Sequence, residues 1–233
     1  MHGHRTDPAE IGIYTIAEVA RFVGANPETV RRWAHGRRFT QRDGSRGSTP
    51  PLLETPRNGL LCFYNLVEVY LIHVLRKGLE DELKLPMPRV RRCLENLRRI
   101  GGSERHPLAR QRFLSDGITL YLDRVGELVD LQVPQQRLIQ DYVRLQARRI
   151  EWDRSGVAVR YRIWTPAIAD GIGNVVCSPR VGFGRPTIDG VATAVILERF
   201  NGGESPEQLA DDYGLDVGKI IEAIRCESRA GAA

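Results

Sequence analysis

Residues 15–36 read TIAEVARFVGANPETVRRWAHG, and the fold of the N-terminal part of the chain turns on them. Thr15 and Glu18 have the S/T-x-x-E spacing of a capping box, in which two otherwise unpaired helix-start N–H groups are satisfied reciprocally. Ile16, Val19, Ala20 and Val23 then recur at i, i+3, i+4 and i+7, one face of a helix. Gly24 stops that helix and makes the turn. Asn26 is a good N-cap and Pro27 sits at the first helical position, so a second helix starts at once, with Val30, Trp33 and Ala34 inward. The small Ala20 lets the helices approach and Val30 closes the core between them. The stretch predicts a helix-turn-helix.

Downstream, RRFTQRDGSRGSTPP (37–51) is polar and rich in Gly, Pro and Arg, and reads as a flexible loop. LLETPRNGLLCFY (52–64) places two short apolar runs about Asn58-Gly59, a hairpin signal, so the wing is expected there. Asn65 and Glu68 form a further N-cap pair for a helix from about Leu66 to Arg76. MPRVRRCLENLRRI (87–100) is amphipathic and ends at Gly101-Gly102. Residues 113–133 carry short β-prone runs broken by turns, which suggests a β-meander. PQQRLIQDYVRLQARRI (134–150) reads as a helix, and VAVRYRIW (157–164) as a half-buried strand. VATAVILERF (191–200) is an apolar-rich helix. Ser205, Pro206 and Gln208 begin another, Gly214 turns the chain, and Asp216 caps a last helix carrying Ile220, Ile221 and Ile224. Ala210, Gly214 and Ile220 repeat the spacing of Ala20, Gly24 and Val30. The expected fold is mainly α with small β elements (α+β): a winged helix-turn-helix over 12–112, a central β-meander plus helix over 113–165, and a three-helix helix-turn-helix-like domain over 174–227.

The 233 residues carry a net charge of +5 and a pI near 9.2, unevenly spread. Residues 1–115 hold 20 Lys and Arg against 12 Asp and Glu, and residues 116–233 hold 14 against 17. A basic half favours a polyanion such as double-stranded DNA. Thr29, Arg31, Arg32 and His35 lie on the outer face of the second helix and Arg37 and Arg38 at its end, groups that suit phosphates and major-groove base edges. Trp33 reads as core, with an indole N–H that could reach a phosphate. In the second unit the outer face offers Asp216, Lys219, Glu222 and Glu227, which suits a protein-interaction or dimerisation module. The four cysteines and five histidines are scattered, so neither a disulfide framework nor a metal site is expected. No apolar run approaches the roughly 20 residues that span a bilayer, and a cytoplasmic protein with no membrane contact is expected.

Over about residues 12–80, the stretch YTIAEVARFVGANPETVRRWAHG with the hairpin and helix expected after it resembles the MerR-like winged helix-turn-helix. That resemblance implies phosphate contacts for Arg31 and Trp33 and a wing arginine, for which Arg57 is the candidate. The chain departs from the family in its long segment from Arg38 to Pro51. Over about 174–227, the stretches SPRVGFGRPTIDG and GESPEQLADDYGL and the final helix with its Ala-Ile pair resemble the small domain of unknown function found in VapB-type antitoxins. The whole arrangement is similar to a mycobacterial-type VapB antitoxin. This implies a VapC-type, PIN-domain ribonuclease as partner, DNA binding at the chain's own operator and a homodimer. Arg180 and Arg185 are then the candidates for pairing with acidic groups of the toxin.

The glycines of GFGRPTIDG (182–190) do not suit a nucleotide. Position 187 is Thr where a dinucleotide fingerprint needs its third glycine, no lysine follows as in a P-loop, and Pro186 lacks an N–H. The loop reads instead as a tight β-turn leading into the C-terminal unit. Catalytic triads and metal constellations are not recognisable, so no catalytic residue and no cofactor is expected. A free-standing MerR-like regulator that senses a small ligand through the central region is the alternative to the antitoxin, and an enzyme the remote third.

Overall fold

The computed structural model describes residues 7–40, 44–77, 87–100, 105–110, 133–164 and 172–228. The expected β-meander lies outside these. The chain is a mixed α+β protein, as expected. Its helices are α1 (Ile16–Val23), α2 (Pro27–His35), α3 (Phe63–Lys77), α4 (Met87–Ile100), α5 (Val133–Gln146), α6 (Thr193–Asn201), α7 (Pro206–Tyr213) and α8 (Val217–Ser228). The strands are β1 (Arg37–Thr40), β2 (Arg46–Thr49), β3 (Ile150–Trp152), β4 (Ala158–Trp164), β5 (Ile172–Cys177), β6 (Thr187–Ile188) and β7 (Val191–Ala192). β1 and β2 form a separate hairpin, and β3 to β7 an antiparallel five-stranded sheet in sequence order.

The two helix-turn-helix units are local copies. The capping box closes at Thr15–Glu18 and again at Ser205–Gln208. Gly24 (φ 70°, ψ 31°) and Gly214 (φ 64°, ψ 34°) take the left-handed turn that a side chain disfavours. Ala25 N–H then reaches the Ala20 carbonyl at 2.8 Å, and Leu215 N–H reaches that of Ala210 at 2.9 Å. Asn26 Oδ1 accepts from the N–H groups of Glu28 and Thr29, and Asp216 Oδ1 from that of Gly218.

The hairpin expected about Asn58-Gly59 does not form there. Residues read as loop form the β1–β2 hairpin instead, with Arg37 opposite Thr49 and Phe39 opposite Gly47. The Phe39 ring covers Gly47, where an added Cβ would meet it at 2.6 Å. Around Asn58-Gly59 the first apolar run, Leu52-Leu53, is only two residues, too short for a ladder, the second passes into helix α3 at Phe63, and each finds another partner. Leu61 exchanges backbone bonds with Tyr14 at 2.8 and 2.9 Å, while the N–H groups of Leu52 and Leu53 donate to the Trp33 carbonyl. Asn58 Nδ2 ties the turn to the Gly12 carbonyl at 2.8 Å. Helix α3 also starts earlier than expected. Asn65 lies inside its first turn and reaches back, accepting from Cys62 N–H at 3.1 Å. Val191 and Ala192, read as helix, are the last strand, and Asp189 and Gly190 turn the β6–β7 hairpin with positive φ at both positions.

One buried cluster runs through the whole described chain, from Tyr14, Val19 and Phe22 through α3 (Leu66, Leu71, Ile72) to Tyr161, Cys177, Ile196 and Ile224. Each fully buried aliphatic contributes roughly 1.5–3 kcal/mol. β4 joins the two ends, pairing with β5 while Tyr161 donates from the core to the Phe22 carbonyl at 3.1 Å.

Candidate nucleic-acid interface and partner loop

The N-terminal basic residues divide between a cleft and the open surface. Thr29, Arg32 and Trp33 of α2, Arg37 of β1 and Thr49 of β2 line a cleft of about 310 Å3 with Arg76 of α3 and Met87 and Arg91 of α4. Arg32 is held along its helix, donating to the Glu28 carbonyl at 3.3 Å and to Thr29 Oγ1 at 3.4 Å. Arg37 Cζ lies 6.0 Å from the Phe39 ring centre, a distance at which a guanidinium is attracted to the ring face. Arg91 donates to the Pro50 carbonyl at 2.6 Å, and burial pushes its pKa below the ordinary value, with Glu95 opposing. Four guanidiniums about one concavity favour an anion through the focused field. Arg76 and Arg91 were not legible as site residues. They sit on helices that only tertiary packing brings beside α2, and a basic residue near a helix end carries no mark of its neighbour.

The other sequence candidates, Trp33 excepted, lie apart from the cleft. Arg31 is exposed and pairs with Glu28 at 3.4 Å. His35 and Arg38 are exposed. Trp33 is buried, 4% exposed, with its edge at the cleft wall. Arg57, expected as the wing arginine, stands on the turn before Gly59, outside both the β1–β2 hairpin and the cleft.

The outer face assigned to the last helix also needs correction. Glu222 is 8% exposed and points into the sheet, accepting from Asn174 N–H (2.7 Å), Asn174 Nδ2 (2.9 Å) and Val175 N–H (3.3 Å). Glu227 accepts from Thr193 Oγ1 at 2.5 Å and pairs with Arg21. Lys219 pairs with Asp189 at 2.6 Å. Lys219, Glu222 and Glu227 of α8 are thus each paired within the chain.

Arg180 and Arg185 flank the loop between β5 and β6. Arg185 Nη1 lies 2.6 Å from Glu18 Oε1, half exposed, and Arg180 is 72% exposed, 3.9 Å from Asp153. Arg180 and Asp153 also line a cavity of about 250 Å3 with Asp7, Tyr64 and Arg110. Beneath α3, His106 Nδ1 lies 3.1 Å from the buried Glu68 carboxylate, which Asn65 also approaches at 3.4 Å. Among the described residues no cluster suits a metal ion and no helix is long and apolar enough to cross a membrane.

Residues 175–225 match the family described as a protein of unknown function, DUF433. A protein of Mycobacterium tuberculosis named "Putative antitoxin VapB45" is 26% identical over 92% of this chain and 93% of its own length. The crystal structure of RV2018 from the same organism has a TM-score of 0.62 at 24% identity, covering 92% of this chain and 97% of that one, and so shares the fold. A further protein, the uncharacterized Rv2308 of Mycobacterium tuberculosis, is 30% identical over 91% of this chain and 88% of its own length, and the chain belongs to the family of that protein.

Proposed function

We propose that this chain is the antitoxin of a type II toxin–antitoxin pair. In this reading it binds and neutralises a VapC-type, PIN-domain ribonuclease, and as a homodimer it represses its own operon through double-stranded DNA. It acts by binding in the cytoplasm and performs no turnover. The observation that carries the reading is the likeness to the VapB45 relative along nearly the whole of both chains. For the DNA function the support is the MerR-like arrangement of α2 and the β1–β2 hairpin, with Arg32 and Arg37 in the arginine-lined cleft and Arg31, His35 and Arg38 exposed beside it. The mechanism follows from charge: arginines neutralise phosphates and release counterions, while a side chain of α2 reads base edges. Arg180 and Arg185 belong to the toxin side.

Co-expression with the neighbouring reading frame, tagging only the neighbour, tests this. The expected result is co-elution of the two chains with suppressed RNA cleavage. Two soluble proteins that elute separately would overturn it. One observation favours a second reading, a free-standing ligand-sensing regulator: the cavity between Asp7, Tyr64, Arg110, Asp153 and Arg180 has convergent polar groups. That reading expects DNA binding without the neighbour and altered by a small ligand.

A further inference from the structure

Two anomalies meet at one residue of the β5–β6 loop. Gly182, Phe183 and Gly184 have φ of 57°, 52° and 84°, three successive left-handed positions. Glycine takes this conformation freely. Phenylalanine does not, because its Cβ crowds the carbonyl. Nor does the Phe183 side chain gain burial in return. It is 93% exposed, far beyond any other large apolar residue among the described ones. A strained backbone that holds an aromatic ring in water contradicts local propensity and the hydrophobic effect together, and such conflicts gather at functional sites.

The loop is rigid around this residue. Gly184 N–H donates to the Val181 carbonyl at 3.1 Å and Arg185 N–H to that of Gly182 at 2.9 Å. The Gly184 carbonyl accepts from the buried Tyr14 hydroxyl. Added Cβ atoms would strike Tyr14 and Ile13 at Gly184, and Thr187 at Gly182. Arg185 is braced on Glu18. The backbone that carries the ring is therefore pre-ordered, which lowers the entropy lost on binding. Aromatic and arginine side chains are the groups that dominate protein interfaces, and here Arg180 and Arg185 flank the ring in sequence, each at least half exposed. Glu18 and Asp153 offset their charge, so the tip is not the strongly cationic surface that a polyanion needs; it suits a protein surface.

We propose that Phe183 is the anchor by which the chain docks a protein partner, entering an apolar pocket on that partner whose acidic rim meets Arg180 and Arg185. This rests on the antitoxin reading and takes the toxin as the partner.

The test compares the full wild-type chain with Phe183→Gly and Phe183→Ala. Affinity for the purified neighbouring gene product is measured by calorimetry, with melting temperature, DNA affinity and oligomeric mass measured alongside. Glycine relieves the backbone while deleting the ring, so its expected signature is opposed: a melting temperature equal to or above wild type, and partner affinity at least about 30-fold weaker. Alanine deletes the ring alone and weakens affinity equally. If wild type binds and both variants bind within about 3-fold of it, the anchor is overturned and the antitoxin reading stands. If wild type itself fails to bind, both fall. Unchanged partner affinity with a loss of DNA binding or of dimer mass would also overturn the proposal, moving Phe183 to a nucleic-acid or self-association surface.

Discussion

The guanidinium of Arg21 on α1 lies 3.4 Å from Glu227 Oε2 on α8, 206 positions along the chain, and also donates to the Cys226 carbonyl. The two helix-turn-helix units are thus joined by a pair that is mostly buried, with side chains 17% and 13% exposed. Arg21→Ala leaves Glu227 short of its partner in a poorly solvated place, and the expected loss is about 2 kcal/mol. The double variant with Glu227→Ala should cost less than the sum of the single ones by about 1 kcal/mol. Urea denaturation of the four proteins checks it, and strict additivity would show that the pair is uncoupled.

Glu222 offers a sharper contrast. Read as an outer-face residue, it should tolerate alanine within about 0.5 kcal/mol, as surface positions do. The structure makes it the acceptor of three donors from Asn174 and Val175. Glu222→Ala is therefore expected to cost about 2–3 kcal/mol through unpaired N–H groups beside β5. Glu222→Gln, which keeps the oxygen facing the two backbone N–H groups, should cost less. Chemical denaturation of both variants measures the difference.

His106 makes stability depend on pH. Burial pushes its pKa down, but the contacts with Cys62 and Glu68 outweigh that and lift it to about 10. A folded value above the ordinary 6.5 means the protonated form is the one folding favours. Its contribution is fully present below about pH 6.5 and is lost as pH rises through about 10. His106→Asn removes the ionisation. Stability of wild type minus variant should fall by about 4 kcal/mol between pH 6.5 and 10, measured by denaturation at intermediate pH values. A flat difference would contradict the charged pair.

For DNA, Arg37→Ala and Arg91→Ala in the cleft should weaken binding to operator and unrelated duplex alike, and lower the slope of log affinity against log salt by about 0.9 for each phosphate left without its arginine. Arg32→Ala should relax sequence preference, costing about 1–3 kcal/mol on the operator alone, if Arg32 reads a base. Arg57→Ala should leave both unchanged, since that residue stands outside the hairpin and the cleft. Titrations at several salt concentrations separate these outcomes.

The sequence by itself determined both helix-turn-helix units down to their caps. Thr15 with Glu18, Asn26, Ser205 with Gln208, and Gly24 and Gly214 act through hydrogen bonds and backbone angles set within three or four residues, and the neighbours needed are all in view. Only the tertiary structure decided the rest. The hairpin formed at 37–49, while Leu61 took Tyr14 as its backbone partner and the Leu52–Leu53 segment took Trp33. Glu222 turned inward because β5 offered three donors. Arg76 and Arg91 joined Arg32 and Arg37 through helix packing. Phe183 stayed in water because its loop is pinned at Gly184 by a tyrosine 170 positions away. In each case the local sequence left several options open, and contacts distant in sequence selected among them.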